Sequence, residues 1–305
     1  MIYPKVSIII LNWNGLADTI ECLQSLREVV YPNYSVIVVD NASRGDDVRI
    51  LRERFGDYIQ VIPNDKNYGF AKGNNVGIRY ATEKGTDYVL LLNNDTTVDP
   101  EFLTEMVTVA EADKEIGIVC PKIYFYDRPD VACFDGGLKI SLWWGTLKGG
   151  PCQGDERPVI ETEFATGAAM MIRARTLEQI GLLPEEYFFG VEDFDFSLRA
   201  MRNNFKIVVA RRALVLHKLA RSSAPTMGVT WITFQISKGW PMLRRKYLST
   251  PGYYLSSVSM LARQALTVLD ILLRGMWHRD WHEIAILFRK IPSGLKGIVK
   301  GTFPS

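Results

Sequence analysis

The stretch that decides the fold is VSIIILNWN, residues 6–14. An apolar, β-type run ends there in a group of polar and aromatic residues. The run is too short and too poorly flanked for a signal peptide. The sequence therefore predicts a buried first strand that delivers Asn12, Trp13 and Asn14 to one edge of a sheet.

The same apolar pattern recurs through the first 120 residues. Short β-type runs occupy residues 36–40, 58–62, 88–92 and 116–119, and helical patterns fill the gaps between them. Strands that alternate with helices indicate right-handed crossovers and a parallel sheet with both faces covered. We therefore predict an α/β, Rossmann-like fold, with a mainly parallel sheet flanked by helices and ligands at the carboxyl ends of its strands.

Composition sets limits on the class of protein. At 305 residues, with 47% hydrophobic and 23% charged residues, the chain has the proportions of one large globular domain with an appendage. Its four cysteines are far apart and form no C-x-x-C pair, which favours reduced thiols in packing positions over a disulfide framework or a zinc site. Nothing in the sequence suggests export, so we expect a cytoplasmic protein.

Charge divides the chain into two parts. Residues 226–305 contain eleven Lys and Arg against three acidic residues, a net charge of +8, which leaves −6 on residues 1–225 of the total of +2. We predict a catalytic α/β domain over residues 1–225 and a basic, amphipathic helical extension over residues 226–305. Nothing in the sequence points to nucleic acid as a partner.

The extension is apolar on a wide helical face. Its longest uncharged stretch, residues 247–262, is shorter than the roughly 20 residues of a membrane-spanning helix. Two interpretations carry equal weight. The helices lie in the plane of an anionic membrane surface, or they pack on protein, either on the body of the chain or as the contact of a homodimer.

Polar residues follow the first two predicted strands. Asp40 and Asn41 end the second strand, beside Asn12 at the end of the first. A buried aspartate in this position can accept a hydrogen bond from the imide N–H of uracil or thymine, and Trp13 can stack on the base. The alternatives are a turn or cap role for Asp40 and simple packing for Trp13.

The loop NYGFAKGNN, residues 67–75, combines glycines with carboxamides where a helix is expected to begin. Glycine lets the backbone approach a ligand closely, and Lys72 with the amides of Asn67 and Asn74 supplies donors to a ribose or a diphosphate. A simple helix entry explains only part of this pattern. We expect the loop, including Gly69, to contact a nucleotide.

The run LLLNND, residues 90–95, brings oxygen ligands to the end of the fourth strand. Mg²⁺ or Mn²⁺ needs only one or two protein oxygens when a diphosphate supplies others, so Asp95 is sufficient. His217, at the end of a later strand, can complete the metal shell through a ring nitrogen. The alternative for Asn93 and Asn94 is an ordinary polar turn.

Glu192 and Asp193 follow the aromatic run YFFG, residues 187–190, at the start of a predicted helix. A carboxylate walled by aromatic rings can have a raised pKa and act as a general base on an acceptor hydroxyl. The alternative is a helix N-terminal charge or an i,i+4 ion pair, which suits Asp195 with Arg199 better than Asp193.

Taken in this order, the motifs resemble those of the family-two inverting glycosyltransferases of GT-A fold, and among them the rhamnosyltransferase-like enzymes of bacterial surface polysaccharide assembly. The resemblance covers residues 5–222. It rests on ILNWN (10–14), VVDNAS (38–43), residues 67–75, NND (93–95), TGA (166–168) and EDFD (192–195). It implies a GT-A fold followed by a C-terminal helical extension.

The resemblance also implies residue roles. Asp95 corresponds to the last carboxylate of the D-x-D metal motif and Asp193 to the catalytic base, while Gly167 and Ala168 line the pocket floor. Asn93 departs from the first aspartate of that motif, which lowers the negative charge around the metal. The expected nucleotide-sugar contacts are Leu11, Asn12, Trp13, Asn14, Asp40, Asn41, Asn67, Gly69, Lys72, Asn74, Asn93, Asn94, Gly167, Ala168 and Glu192; the expected metal ligands are Asp95 and His217.

The implied reaction is a single displacement with inversion. Asp193 deprotonates an acceptor hydroxyl that attacks the anomeric carbon, while Mg²⁺ or Mn²⁺ at Asp95 neutralises the leaving diphosphate. The likeness favours dTDP-rhamnose as donor, with UDP-hexoses next, and a glycan or lipid-linked acceptor. A cytoplasmic enzyme, peripheral on the inner face of the cell membrane, would meet such an acceptor.

Three rival functions are weaker. A dehydrogenase should show G-x-G-x-x-G after the first strand, where residues 12–15 read NWNG. A nucleotidyltransferase should carry a basic, glycine-rich loop at the same turn. A non-catalytic sugar-nucleotide or glycan-binding scaffold would not need both Asp95 and Asp193.

Overall fold

The computed structural model describes residues 3–150, 156–219 and 229–262. The chain divides into two compact units, Met1–Lys139 with Lys148–Met227, and Ile140–Leu147 with Gly228–Ser305. The predicted boundary after residue 225 falls outside the described residues. The prediction placed residues 140–147 in the first domain, whereas the structure groups them with the second unit.

Strands and helices alternate in the first half of the first unit, as the apolar pattern predicts. In chain order they are β1 Val6–Asn12, α1 Leu16–Leu26, β2 Tyr34–Asp40, α2 Asp47–Phe55, β3 Ile59–Pro63, α3 Gly69–Glu83, β4 Tyr88–Asn93, β5 Thr96–Val98, α4 Phe102–Ala112 and β6 Ile116–Phe125. A short 3₁₀ turn, Gly56–Tyr58, connects α2 to β3.

Five shorter strands follow: β7 Arg128–Phe134, β8 Lys139–Ser141, β9 Thr146–Lys148, β10 Val159–Glu161 and β11 Ala169–Arg173. After them come the helices α5 Ala174–Ile180 and α6 Glu192–Arg202 and the long strand β12 Lys206–His217. The sequence predicts two strands over residues 206–216. The structure has one strand instead, because β12 stays paired with β6 across an irregularity between Ala210 and Leu214.

The central sheet has the strand order β10-β12-β6-β11-β4-β1-β2-β3, with β5 paired to β12 and β7 to β6. Strands β3, β2, β1 and β4 are parallel, and β12 is parallel to β6. Strand β11 runs antiparallel between β4 and β6. The predicted α/β fold, a mainly parallel sheet flanked by helices, is confirmed. The strands that end in Asn12, Asp40 and Asn93 lie in the parallel block β3-β2-β1-β4, whereas β12, which ends in His217, lies beyond β11.

Strand β1 is the centre of the core, with Ile8, Ile9 and Ile10 fully buried. Polar alternation is absent from this strand because helices cover both faces of the sheet. Helix α3 approaches so closely that a Cβ atom on Gly77 would lie 2.6 Å from Ile9 Cγ2. Close packing of α3 on β1 brings the loop before α3 over the end of the strand.

The second unit includes residues 140–147, which contain most of β8 and β9 and the turn between them. The two strands pair as a separate two-stranded sheet. Its long helix, α7, spans Val229–Tyr247 and contains Pro241, and residues 250–262 are also helical. Within the described ranges, no helix is long and apolar enough to cross a bilayer. The predicted helix over residues 256–277 is described only as far as residue 262, and Trp277 and Trp281 lie outside the described residues.

Two glycines with left-handed backbone conformations, one at the start of α3 and one after its end, allow a matched test of the contact between α3 and residue 188. Gly69 has φ +79°, and an added Cβ would lie 2.5 Å from the Phe188 carbonyl oxygen. Gly85 has φ +67°, with open space around its Cβ position. We expect Gly85→Ala to lower the free energy of unfolding by about 1 kcal/mol through backbone strain alone. Gly69→Ala should cost roughly twice that or more, because the 188 loop must also move.

Urea unfolding of both variants beside the unsubstituted chain measures the two losses. Equal losses of unfolding free energy in the two variants would mean that the Phe188 backbone moves aside at no energetic cost. The contact with Phe188 would then not fix the position of the start of α3.

Candidate active site

A cleft of about 320 Å³ opens at the carboxyl ends of β1, β2 and β4. This is the edge at which the sequence predicts ligand binding. Its walls are formed by Leu11, Trp13, Asn41, Asn67, Gly69, Phe70, Asn93, Asn94, Asp95, Thr166, Gly167, Ala168, Phe188, Phe189, Gly190, Glu192, Asp193, His217 and Leu219. The structure thus brings together the predicted metal ligands, the predicted base and most of the predicted nucleotide-sugar contacts.

Asp95 and His217 form a buried pair on one wall. His217 Nε2 lies 3.0 Å from Asp95 Oδ1, and the two side chains are only 8% and 4% exposed. The antiparallel pairing of β12 with β5 sets His217 opposite Thr96, which places the ring beside the end of β4. Asn93 Nδ2 is 3.4 Å from the same ring nitrogen.

This pair fits a divalent cation that takes most of its ligands from a bound diphosphate and water. The described residues contain no group of three or more His, Cys, Asp and Glu side chains arranged to hold a metal. A carboxylate oxygen and one imidazole nitrogen are a sufficient protein contribution when phosphate oxygens fill other positions. Asn93 adds no charge, so the protein side of such a site carries a single carboxylate.

Asp193 and Glu192 begin α6 on another wall, next to Phe188 and Phe189. Asp193 Oδ2 accepts a 3.4 Å hydrogen bond from the Gly167 N–H, and Oδ1 a 2.9 Å bond from the Phe194 N–H. The side chain is half-buried, with its opening toward the cleft. Loss of hydration, and secondarily the charge of Glu192, raises the pKa of Asp193 to about 8.

Glu192 is more deeply buried than its neighbour, with 4% of its surface exposed. Its Oε2 accepts a hydrogen bond from the Val191 N–H at 2.9 Å. Burial raises the pKa of Glu192 as well. Asp193, with its pKa raised to about 8, can hold and release a proton near neutral pH.

The loop before α3 is fixed to the cleft by carboxamides. Asn41 donates to Asn67 Oδ1 at 2.8 Å and accepts from the Tyr68 N–H at 3.0 Å. The Phe70 N–H donates to the Phe188 carbonyl at 3.0 Å. These bonds join the β2 end, the 67–70 loop and the aromatic 188 segment into one continuous wall.

Asn12 and Asp40, both predicted nucleotide contacts, lie behind the cleft wall and not in it. Asn12 is fully buried; its amide donates to Asp40 Oδ1 at 2.8 Å and to Asp47 Oδ2 at 2.9 Å, and its oxygen accepts from Thr19. The Asp40 carboxylate also accepts from the Ser43 hydroxyl at 2.6 Å and the Ser43 N–H at 3.0 Å. These bonds are typical of a turn residue, and the predicted contact of Asp40 with a base stays a prediction.

Three more predicted contacts are placed elsewhere. Asn14, with φ +54°, accepts from the Arg44 N–H at 2.8 Å and shapes the turn after β1. Lys72 is exposed, and its ammonium lies 4.7 Å from the centre of the Tyr68 ring. Asn74 is 2% exposed and donates to the Phe70 carbonyl one helical turn earlier, so its amide is used inside α3.

Six cleft residues were not predicted as contacts: Phe70, Thr166, Phe188, Phe189, Gly190 and Leu219. Phe188, Phe189 and Gly190 lie in the aromatic run that the sequence marks before Asp193. Phe70 and Thr166 belong to motifs that the sequence marks, and their proximity to Gly69 and Gly167 is the signal that could have identified them. Leu219 carries no such signal, because an apolar residue two positions beyond a strand has no chemistry that points to a site.

The predicted ion pair Asp195–Arg199 forms inside α6, with Asp195 Oδ1 3.2 Å from Arg199 Nε. Tyr187 also donates to Asp195 Oδ2 at 3.0 Å. These bonds orient the start of α6 from behind and leave Asp193 facing the cleft.

Known structures share this fold. The fold matches the mannosyltransferase PcManGT from Pyrobaculum calidifontis in complex with GDP-Man and Mn²⁺, with a TM-score of 0.60 and 17% identity over 99% of this chain and 88% of that one. It matches GalNAc-T7 with UDP, GalNAc and Mn²⁺ at 0.61 and 15% identity, over 77% and 48% of the two chains. A sheet of this topology with a cleft at its strand ends is the GT-A fold of glycosyltransferases.

The chain belongs to glycosyl transferase family 2, whose sequence profile matches residues 7–180. It is 28% identical over 291 residues to the low-salt glycan biosynthesis hexosyltransferase Agl10 of Haloferax volcanii, covering 93% of this chain and 85% of that protein. It is 21% identical over 232 residues to the dTDP-rhamnosyl transferase RfbF of Shigella flexneri, covering 74% and 73%. The assignment to family-two glycosyltransferases of GT-A fold made from the motifs is confirmed.

The raised pKa of Asp193 makes a prediction about stability. Between an unfolded pKa of about 4 and the folded value of about 8, the native state holds a proton that the unfolded state releases. Stability is therefore lost as the pH rises through this window. Asp193→Asn removes that loss, so the variant should gain on the order of 2 kcal/mol over the unsubstituted chain at the alkaline end, after a discount for partial exposure, and little near pH 4.

Thermal unfolding across this pH range provides the measurement. Glu178→Gln on α5 is the control, because Glu178 is exposed and should leave the pH dependence unchanged. A constant difference between Asp193→Asn and the unsubstituted chain at all pH values would contradict the raised pKa.

Proposed function

We propose that this glycosyltransferase is metal-dependent and inverting, and that it transfers a sugar from a nucleoside diphosphate donor to a hydroxyl of a glycan or lipid-linked acceptor. One observation carries the proposal. A single cleft holds a carboxyl group with a raised pKa, Asp193, together with the buried Asp95–His217 pair. A base for the acceptor and a counter-charge for the leaving group are the two functions that single displacement requires.

Asp193 is the proposed general base. It accepts hydrogen bonds from the backbone N–H groups of Gly167 and Phe194, which orient the carboxylate without donating a proton to it. A base works best when its pKa is close to the working pH, and burial beside Phe188 and Glu192 moves Asp193 in that direction. The carboxylate takes the proton of the acceptor hydroxyl as that oxygen attacks the anomeric carbon, so the configuration inverts.

Asp95 and His217 would hold the divalent cation. When bound there, Mg²⁺ or Mn²⁺ supplies positive charge to the diphosphate as it leaves. A ring nitrogen beside the carboxylate favours Mn²⁺ of the two, because imidazole suits a softer ion than Mg²⁺. The Asn93 amide, 3.4 Å from the His217 ring, supports the orientation of that ring.

For the donor we propose dTDP-rhamnose, with UDP-hexoses next. Two similarities support this order: the motifs at residues 67–75 and 93–95 resemble rhamnosyltransferase-like enzymes, and RfbF of Shigella flexneri is a dTDP-rhamnosyl transferase. The apolar rings of Phe70, Phe188 and Phe189 in the cleft wall suit the methyl group of a 6-deoxy sugar. Agl10, described as a hexosyltransferase, supports a hexose as the second choice.

A donor panel tests the donor and the metal together. Release of nucleoside diphosphate is measured for dTDP-rhamnose, UDP-glucose, UDP-galactose and UDP-N-acetylglucosamine, with Mg²⁺, with Mn²⁺ and with EDTA. We expect dTDP-rhamnose to be used best and the metal to tighten donor binding, and we expect Asp95→Ala to abolish the metal effect. Better use of a UDP-sugar would overturn the donor alone, whereas equal donor affinity with and without metal would overturn the metal role.

Two neighbouring carboxyl groups allow a sharp test of the base. Asp193→Asn should reduce transfer by a factor of roughly 10² to 10⁴, the range for loss of a general base, and leave donor binding nearly unchanged. Glu192→Gln is the matched variant; it keeps the side-chain length and should retain far more activity, because the Glu192 carboxyl already accepts from the Val191 N–H. Near-normal turnover by Asp193→Asn would assign the base elsewhere.

We further propose that the chain is a cytoplasmic protein whose second unit docks on an anionic membrane surface, where a lipid-linked acceptor is held. Its helical run 250–262 exposes Tyr254, Leu255 and Val258 by 63%, 61% and 65%, and residues 226–305 carry a net charge of +8. Apolar burial and basic side chains each add to binding at such a surface.

Co-sedimentation with vesicles that contain an anionic phospholipid tests this docking. Val258→Asp should weaken binding, and added salt should weaken it further. Val30→Asp is the control, because Val30 is similarly exposed, at 55%, but lies in the first unit. Equal binding by both variants would leave packing on protein, including a homodimer, as the role of these helices.

A further inference from the structure

Arg244, in the last turn of α7, is a buried cation. Only 3% of its surface is exposed. Its guanidinium donates to the hydroxyl oxygens of Ser256 and Ser257, the latter at 3.4 Å, and its carbon lies 5.6 Å from the centre of the Tyr253 ring. Among the residues described by the structure, no carboxylate forms an ion pair with it. A charge removed from water without a counter-charge is costly, so this cluster requires an explanation.

Two hydrogen-bond donors in the cluster are buried and unused, Arg244 Nε and the Tyr253 hydroxyl. The serine hydroxyls accept from Arg244 Nη2 and donate to the Tyr253 carbonyl, Ser256 at 3.0 Å and Ser257 at 2.8 Å, and being neutral they supply no counter-charge. Loss of hydration on burial also lowers the pKa of Arg244, and the opposing effect of Tyr253 is smaller. The cluster thus lacks one component, an acceptor that also carries negative charge.

The helical run 250–262 divides this cluster from solvent. Tyr253 and Ser256 are buried on one side of the run, while Tyr254 and Val258 are exposed on the other. Ser257 is half-buried at the border between the two sides. The run 250–262 therefore carries one unused donor, the Tyr253 hydroxyl, on its buried side and an apolar surface on its exposed side.

We propose that Arg244 and Tyr253 form a binding site for a phosphoryl oxyanion carried by an amphiphile. A phosphate ester presents several oxygens, so one oxygen can accept from Arg244 Nε and another from the Tyr253 hydroxyl while the ester neutralises the buried charge. Water could satisfy the two donors but would leave the charge uncompensated. The apolar chain of the ligand would cover the exposed side of the run, with Ser257 at the entrance.

This site consists only of residues of the second unit and does not depend on the donor cleft. Its connection to catalysis, as the site for the phosphoryl group of a lipid-linked acceptor, rests on the proposed function. Binding and transfer can therefore be tested separately.

The first experiment measures binding of dodecyl phosphate, below its micelle concentration, to the full chain in EDTA by isothermal titration calorimetry. Arg244→Met should weaken binding by at least roughly tenfold, because a charge-assisted contact is lost. Tyr253→Phe, which removes only the hydroxyl, should weaken it by about threefold to tenfold. Arg245→Met is the control; Arg245 is the exposed neighbour, and its loss should change affinity by less than about threefold.

A second readout distinguishes a ligand site from a structural role for Arg244. Replacement of an uncompensated buried charge by an apolar side chain of similar size is neutral or stabilising. Without ligand, Arg244→Met should therefore unfold at the same temperature as the unsubstituted chain or higher, and it should lose the rise in unfolding temperature that dodecyl phosphate produces. A strongly destabilised Arg244→Met would indicate a structural cation and overturn the site, as would dodecyl phosphate binding that neither Arg244→Met nor Tyr253→Phe weakens.

Two further arms identify the source of the phosphoryl group and separate this proposal from the catalytic one. Tighter Arg244-dependent binding of dodecyl phosphate than of inorganic phosphate supports a lipid ligand, whereas equal affinity supports an oxyanion site for a free phosphate and removes the amphiphile. Asp95→Ala should bind dodecyl phosphate normally while losing the metal dependence of donor binding. Failure of the donor test with this binding intact would refute only the proposed catalytic role.

Discussion

The buried amide of Asn12 is the interaction on which the site end of the sheet depends. Strand β1 is covered on both faces, so the polar groups at its end must find partners inside the protein. Asn12 donates to both Asp40 and Asp47, which joins the ends of β1 and β2 to the start of α2. The neutral NH₂ group of Asn12 thus stabilises two buried carboxylates. The cleft lies next to these hydrogen bonds. This need for hydrogen-bond partners inside the protein explains why not every polar residue at a strand end lines the cleft.

Most of the fold and part of the site could be predicted from the sequence. Long apolar runs such as residues 88–92 identify buried strands, and direct succession in the chain places Asn93, Asn94 and Asp95 at a strand end. The hydrogen bonds of Asn12 to Asp40 and Asp47 could not be predicted, because an amide that contacts a nucleotide and one that contacts a buried carboxylate have the same local sequence. Their partners are set by three-dimensional packing of α1 and α2, which local patterns do not record.

The cleft contains two carboxyl groups whose ionisation is costly. Glu192 and Asp193 are adjacent in sequence and both are removed from water, so the charge of one disfavours the charge of the other. Their position at the N-terminus of α6 offers partial compensation from the helix dipole. The Asp95–His217 pair differs, because a carboxylate and an imidazole can hydrogen-bond to each other, and Asp95 Oδ1 lies 3.0 Å from His217 Nε2. In the proposed mechanism, proton transfer and cation binding would therefore fall to separate walls of one cleft.

The reversed direction of β11 has a consequence for the order of folding. An antiparallel strand begins where its parallel neighbour ends, so Ala169 lies opposite Leu92, and the Asn93 N–H donates to the Ala168 carbonyl at 2.9 Å. The chain therefore returns to the end of β4 after more than seventy residues, and only then does Gly167 come within reach of Asp193. Contacts of such long sequence separation form slowly, since closure of the loop precedes any gain from pairing. Strand β1 pairs with β4 across a similar separation, with Val6 opposite Tyr88, so the parallel block also needs a long-range closure. Among the described strands, β12 and β5 pair across the longest separation, which sets His217 opposite Thr96. The cleft wall that contains His217 should therefore be completed late.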